Sequence, residues 1–130
     1  MAVGILIITH DKVGQALLDN ATATLGFCPL IAAIINVQRD CDTDCVTEQA
    51  KQLHRELQQG DGVLIMTDIF GSTPSNIACS LQNESLTAVV AGINLPMLIR
   101  VLNYPNLSLP ELVNKALSGG REGILECPNQ

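Results

Sequence analysis

Four short, almost wholly apolar runs set the terms for how this chain folds. The first, Val3-Gly4-Ile5-Leu6-Ile7-Ile8-Thr9, carries no charge and stops at His10-Asp11. The others run from about Leu30 to Val37, Val63 to Thr67 and Leu86 to Ala91. A strand wetted on one face alternates apolar with polar residues. A run that is apolar at nearly every position suits a strand covered on both faces, as in a parallel sheet.

Helical signals separate the runs. Val13, Ala16, Leu17, Ala21 and Leu25 fall near helical spacing, and Gly26 stands where a helix end wants glycine. After a polar, acidic stretch from Gln38 to Asp44, Val46, Ala50, Leu53 and Leu57 form one stripe, with Thr43 or Asp44 as its cap and Gly60-Asp61-Gly62 as its end. Pro74 fits a first helical position with Thr73 as cap, and that helix runs to about Leu81. Pro96 opens another helix after the loop Gly92-Ile93-Asn94-Leu95. Ser108 and Glu111 form a capping box around Pro110, Gly119-Gly120 closes that helix, and Arg121 to Cys127 reads as a short closing strand. Pro128-Asn129-Gln130 reads as a frayed tail.

Strands thus alternate with helices, which predicts one α/β domain over residues 1–130 with a mostly parallel four-stranded sheet and helices on both faces. The chain is 47% apolar yet has no Trp, one Tyr and two Phe, so its core must be aliphatic. A net charge of -6 with no basic patch argues against nucleic-acid binding and favours a basic protein partner. The apolar start, Ala2 to Thr9, lacks a basic leader and is one strand long, and no run nears the roughly 20 residues of a membrane helix. The expectation is a soluble, cytoplasmic protein. The five cysteines are expected to be reduced. Cys41 and Cys45 are four apart with His54 further on, a looser spacing than paired zinc ligands show, so no metal or other cofactor is expected.

In open α/β sheets, ligands sit beyond the carboxyl ends of the strands. That brings forward His10-Asp11, Asp68 to Thr73 and Gly92 to Pro96. A neutral imidazole attacks phosphorus well when one ring nitrogen is protonated and held, leaving the other free. His10 is the candidate nucleophile and Asp68, at the end of another strand, the candidate orienting carboxylate. Asp11, adjacent in sequence, is expected to point away. Gly71-Ser72-Thr73-Pro74 offers main-chain N–H groups for a phosphate, with the Thr73 hydroxyl in support. His54 adjoins an apolar stripe without strand-end context and reads as a surface or boundary residue.

Together these segments make the chain resemble enzyme IIA of the mannose family, from the bacterial phosphoenolpyruvate-dependent sugar phosphotransferase system. The resemblance spans nearly the whole chain. It is carried by Ile7-Ile8-Thr9-His10, by Thr67-Asp68-Ile69-Phe70-Gly71-Ser72-Thr73-Pro74-Ser75-Asn76, by Ala91-Gly92-Ile93-Asn94-Leu95-Pro96-Met97 and by Gly120-Arg121-Glu122-Gly123. It implies a phosphotransferase in which His10 takes phosphate from phospho-HPr and passes it to a IIB protein, or uses it as a regulatory signal. It implies that Asp68 orients His10, that Gly71, Ser72 and Thr73 hold the phosphate, and that Phe70, Pro96 and Met97 form an apolar docking rim. It also implies a homodimer with the segment Arg121 to Cys127 open to exchange, and contact with the membrane only through a permease.

Two positions depart from the family pattern. Gly71-Ser72 stands where many relatives have Gly-Gly, so a positive φ at the second position would strain Ser72. Asp11 stands where glycine is common, and its charge beside a phosphohistidine weakens that state unless it faces solvent. With nothing after residue 130, a stand-alone or regulatory IIA is expected; a phosphodonor domain of a dihydroxyacetone kinase is a related alternative. The competing readings are a receiver-like domain phosphorylated on Asp68, which lacks the usual acidic pair at the first strand end, and a module that binds without turnover. No G-x-S-x-G or H-E-x-x-H motif points to a hydrolase.

Overall fold

In a computed structural model that describes residues 2–128, the apolar runs become four strands: β1 Gly4–His10, β2 Ala32–Val37, β3 Val63–Thr67 and β4 Thr87–Ala91. The helices are α1 Val13–Leu25, α2 Thr43–Leu57, α3 Thr73–Cys79, α4 Leu95–Leu102 and α5 Leu109–Glu122. Every strand pair is parallel, in the order β2-β1-β3-β4.

The period-two alternation of the central strands feeds two cores. Ile5, Ile7, Leu64 and Met66 pack with Ala21 of α1, Leu98 and Leu102 of α4 and Leu112 of α5. Leu6, Ile8, Val63 and Ile65 pack on the other face with Ala50 and Leu57 of α2 and Ile77 of α3. Both faces are covered, which is why β1 and β3 read as continuous apolar runs.

The strand order positions the site. The chain leaves β1 through α1 to β2, then crosses back through α2 to β3 on the far side of β1. The connections after β1 and β3 therefore depart in opposite directions, and a crevice opens between these two strand ends. His10 closes β1 and Asp68 follows β3.

Several local expectations are corrected. Asp42 caps α2, its Oδ1 accepting from the N–H groups of Asp44 (3.1 Å) and Cys45 (3.3 Å). Ser72, not Thr73, precedes α3, so Pro74 is its second residue, and α3 stops at Cys79. The strand expected over Arg121 to Cys127 is not formed. Helix α5 runs through Gly119 and Gly120 to Glu122, because these glycines let it press against α4. A Cβ at Gly119 would lie 2.7 Å from Arg100 Cβ, and one at Gly120 would lie 2.8 Å from Met97 Cε. An Arg100–Glu122 ion pair fastens the same end. Residues 124–128 pair with no strand, and Ile124 and Leu125 are exposed. The expected fraying at Asn129 and Gln130 lies outside the described residues.

His54 is buried, not a surface residue. It is four residues beyond Ala50, on the stripe that faces the sheet, and its Nε2 lies 2.7 Å from Thr87 Oγ1 of β4. Burial lowers its pKa from the ordinary 6.5; Glu84 opposes this shift and Arg55 adds to it. Below pH 6.5 the unfolded chain therefore binds more protons at this site than the folded one, and acid destabilises the fold. The midpoint of urea unfolding is expected to fall as pH drops below 6.5, and to fall less in His54→Gln.

Candidate functional site

The parallel register brings His10 and Asp68 together. Ile8 of β1 sits opposite Thr67 of β3, so the residues that follow each strand meet in the crevice. His10 Nδ1 lies 2.9 Å from Asp68 Oδ2. The His10 backbone N–H donates to the same oxygen at 3.0 Å. The other oxygen, Oδ1, accepts from the Ile69 N–H at 3.0 Å. Two bonds from one residue fix the histidine to the carboxylate, and the third fixes the carboxylate to its own loop.

The pair is asymmetric toward solvent. The Asp68 side chain is 12% exposed and the His10 side chain 41%. Burial raises the Asp68 pKa, but hydrogen bonds from the His10 ring, the His10 N–H and the Ile69 N–H outweigh it and hold the carboxyl below its ordinary 3.8. Asp68 is therefore an anion at neutral pH. It selects the ring form with the proton on Nδ1, which leaves Nε2 with its lone pair free.

Thr9 secures the turn that follows. Its hydroxyl, fully buried, accepts from the Gly14 N–H at 2.7 Å. Gly14 packs so closely that a Cβ there would lie 2.5 Å from Ile7 Cγ2. Helix α1 is thereby pinned against β1 directly behind His10. Sequence reading passed over Thr9, although a hydroxyl at the end of an apolar run is a signal for such a clamp.

The strain expected at Ser72 lies elsewhere. Gly71 takes the positive φ (88°), and Ser72 is extended at φ -81°. Asp11, where the family pattern has glycine, has φ 42°. A left-handed residue other than glycine costs roughly 1–2 kcal/mol, and Asp is among the side chains that best tolerate it. Asp11 Oδ1 accepts a long hydrogen bond from Gln38 Nε2 at 3.4 Å, and both residues line the cavity that holds His10.

The loop after Asp68 is partly self-satisfied. The Gly71 N–H donates to Ser75 Oγ at 3.2 Å, and the Ser72 N–H and hydroxyl both donate to the Ile69 carbonyl, at 3.2 Å and 2.6 Å. Thr73 is exposed. Gly71, Ser72 and Thr73 thus continue the Asp68 loop but do not line the cavity of about 660 Å³ that holds His10 and Asp68. The far wall of that cavity is the β2–α2 loop, Gln38, Arg39 and Asp40, which sequence reading treated as a connection.

The expected docking rim divides. Phe70 is 80% exposed and Pro96 is exposed, but Met97 is buried in the core beneath Gly120. Met97 is a packing residue, because it lies on the α4 face that meets α5. Val13 and Ile69, both exposed, border the His10 cavity in its place.

A profile of the EIIA-man family, described as "PTS system fructose IIA component", matches residues 4–117. The chain belongs to this family. It is a mannose-family IIA component. The mannose-specific EIIAB component of Escherichia coli K12 is 32% identical over 127 residues, which cover 95% of this chain and 39% of that protein. The fructose-specific EIIA component of Bacillus subtilis is 32% identical over 82 residues, covering 62% of this IIA chain and 56% of the relative. The IIA chain thus spans about two fifths of the first of these proteins and just over half of the second. The mannose/sorbose IIA subunit from Enterococcus faecalis superposes with a TM-score of 0.88 at 21% identity, covering 100% of this chain and 99% of that one. The EIIA component from Streptococcus agalactiae gives 0.80 at 24% identity, covering 95% and 96%. These structures share the fold. Among the described residues no helix is long and apolar enough to cross a membrane.

If Asp68 holds the ring, Asp68→Asn is expected to keep its far-UV circular dichroism and lose the slowly exchanging Nδ1–H signal of His10. Proton NMR of the histidine rings, compared between the parent chain and Asp68→Asn, checks the lost signal.

Proposed function

We propose that His10 carries a phosphoryl group on Nε2, taken from phospho-HPr and passed to a IIB protein. The observation that supports this most is the Asp68 carboxylate at 2.9 Å from Nδ1, which leaves Nε2 as the free nucleophilic nitrogen of a side chain 41% open to solvent. In the forward step the Nε2 lone pair forms a bond to phosphorus as the bond to the donor's histidine nitrogen breaks. The proton on Nδ1 stays, and the charge that develops on the imidazolium faces the Asp68 anion. The reverse geometry serves transfer to the acceptor.

The rest of the assignment follows from the same placement. Gly71 and Ser72 shape the loop that holds Asp68, and Thr73 offers its hydroxyl to an incoming phosphate. Val13, Ile69, Phe70 and Pro96 form the apolar part of the docking rim, and a net charge of -6 steers a basic donor toward it. The chain works in the cytoplasm and meets the membrane only through a permease. Exposed Ile124 and Leu125, with β4 unpaired on its outer edge among the described residues, support a homodimer completed by the C-terminal segment. Phosphorylation of Asp68 itself is disfavoured, since both its oxygens accept hydrogen bonds and its side chain is only 12% exposed.

Incubation with phosphoenolpyruvate, enzyme I and HPr, followed by intact mass measurement, tests the reading. The chain is expected to gain one acid-labile, alkali-stable phosphoryl group; His10→Ala is expected to gain none. Asp68→Asn is expected to be labelled about 10²–10⁴-fold more slowly. Full labelling of a folded His10→Ala, or an alkali-labile label on Asp68, would overturn it.

A further inference from the structure

The cavity beside His10 has an uneven charge. Its walls carry three carboxylates, Asp11, Asp40 and Asp68, and a single cation, Arg39. Asp68 is committed to His10 and Ile69. Asp11 accepts from Gln38, one residue before Arg39. Among the described residues the Arg39 side chain makes no ion pair or hydrogen bond, and it is exposed at the end of β2. Its loop is not slack: the Cys41 N–H donates to the Gln38 carbonyl at 3.2 Å, closing a turn around Arg39 and Asp40. Val37, the last residue of β2, sits opposite His10 in the sheet register and accepts from the Asp11 N–H at 3.0 Å. The turn that bears Arg39 therefore starts one residue beyond the strand neighbour of His10.

A phosphoryl group on His10 adds negative charge to this already acidic cavity. The Gly71 and Ser72 N–H groups are already occupied within their own loop. Arginine, with its planar fork of donors, is the side chain best matched to two oxygens of a phosphoryl group.

We propose that Arg39 is a phosphoryl-binding residue of this chain, which engages the group carried by His10 and offsets Asp11 and Asp40. This rests on the phosphohistidine assignment above. Arg39 favours the dianionic form of the group and lowers the free energy of the phosphorylated chain, so it weights the exchange with the donor toward this protein.

The test compares the parent chain, Arg39→Gln, Arg39→Lys and Arg55→Gln, each phosphorylated with phosphoenolpyruvate, enzyme I and HPr. Arg55, on α2, lines a different surface with His54 and Glu84 and serves as the remote control. Phosphorus NMR titration reads the second pKa of the phosphoryl group, and quenched equilibrium mixtures read its partition between HPr and this chain. Arg39→Gln is expected to raise that pKa by about half a unit and shift the partition toward HPr about threefold to tenfold. Arg39→Lys is expected to recover part of both effects, and Arg55→Gln to match the parent. An unchanged pKa and partition in Arg39→Gln, even with slower transfer from HPr, would overturn the proposal and assign Arg39 to donor docking. A parent chain that takes no phosphohistidine label would overturn it together with the function on which it rests. A labelled parent with an unaffected Arg39→Gln would overturn the Arg39 role alone.

Discussion

Asp68 Oδ2 accepts two hydrogen bonds from a residue 58 positions earlier in the chain, and the site depends on that convergence. Nothing local brings the partners together. The parallel pairing of β1 with β3 does, and it must hold its register: a slip of one residue sends every side chain of a strand to the opposite face. The register is enforced by burial. Ile5, Leu6, Ile7 and Ile8, with Leu64, Ile65 and Met66, are completely buried in two separate cores, so any slip would exchange the contents of both. The aliphatic core thus sets the 2.9 Å contact between a ring nitrogen and a carboxylate.

The site is held at two further points. Behind His10, Thr9 and Gly14 lock the first turn of α1 to the strand. Beside it, Asp11 adopts a left-handed conformation and is tied to Gln38. Both clamps use residues next to the histidine in sequence but leave its Nε2 untouched. The electrostatic outcome is an anionic carboxylate aimed at Nδ1, inside a cavity that Asp11 and Asp40 also line.

Much of this was legible in the sequence because the signals were local. Apolar runs without alternation marked the buried strands, and Ser108 with Glu111 marked the start of α5. His10 and Asp68 stood out because each closes an apolar run. The strand order was not legible, since periodicity says nothing about neighbours, and with it went the β2–α2 loop as a wall of the cavity. Gly119 and Gly120 misled because a glycine pair can end a helix or let two helices touch; only the closeness of Arg100 and Met97 decides. Met97 misled for a related reason. It follows Pro96 at a helix start, but its side chain turns to the core. His54 showed its burial only through its spacing from Ala50, a weaker signal than its polarity.

In the proposed function, Asp68 occupies Nδ1 of His10 and thereby makes Nε2 the nitrogen that carries phosphate. Nitrogen-15 labelling of the histidine rings, with phosphorus coupling measured on the phosphorylated chain, tests it directly. The expected result is one-bond coupling of phosphorus to Nε2 of His10, with Nδ1 still bearing its proton. Coupling to Nδ1, or a phosphorylated chain with no coupling to His10, would contradict the account.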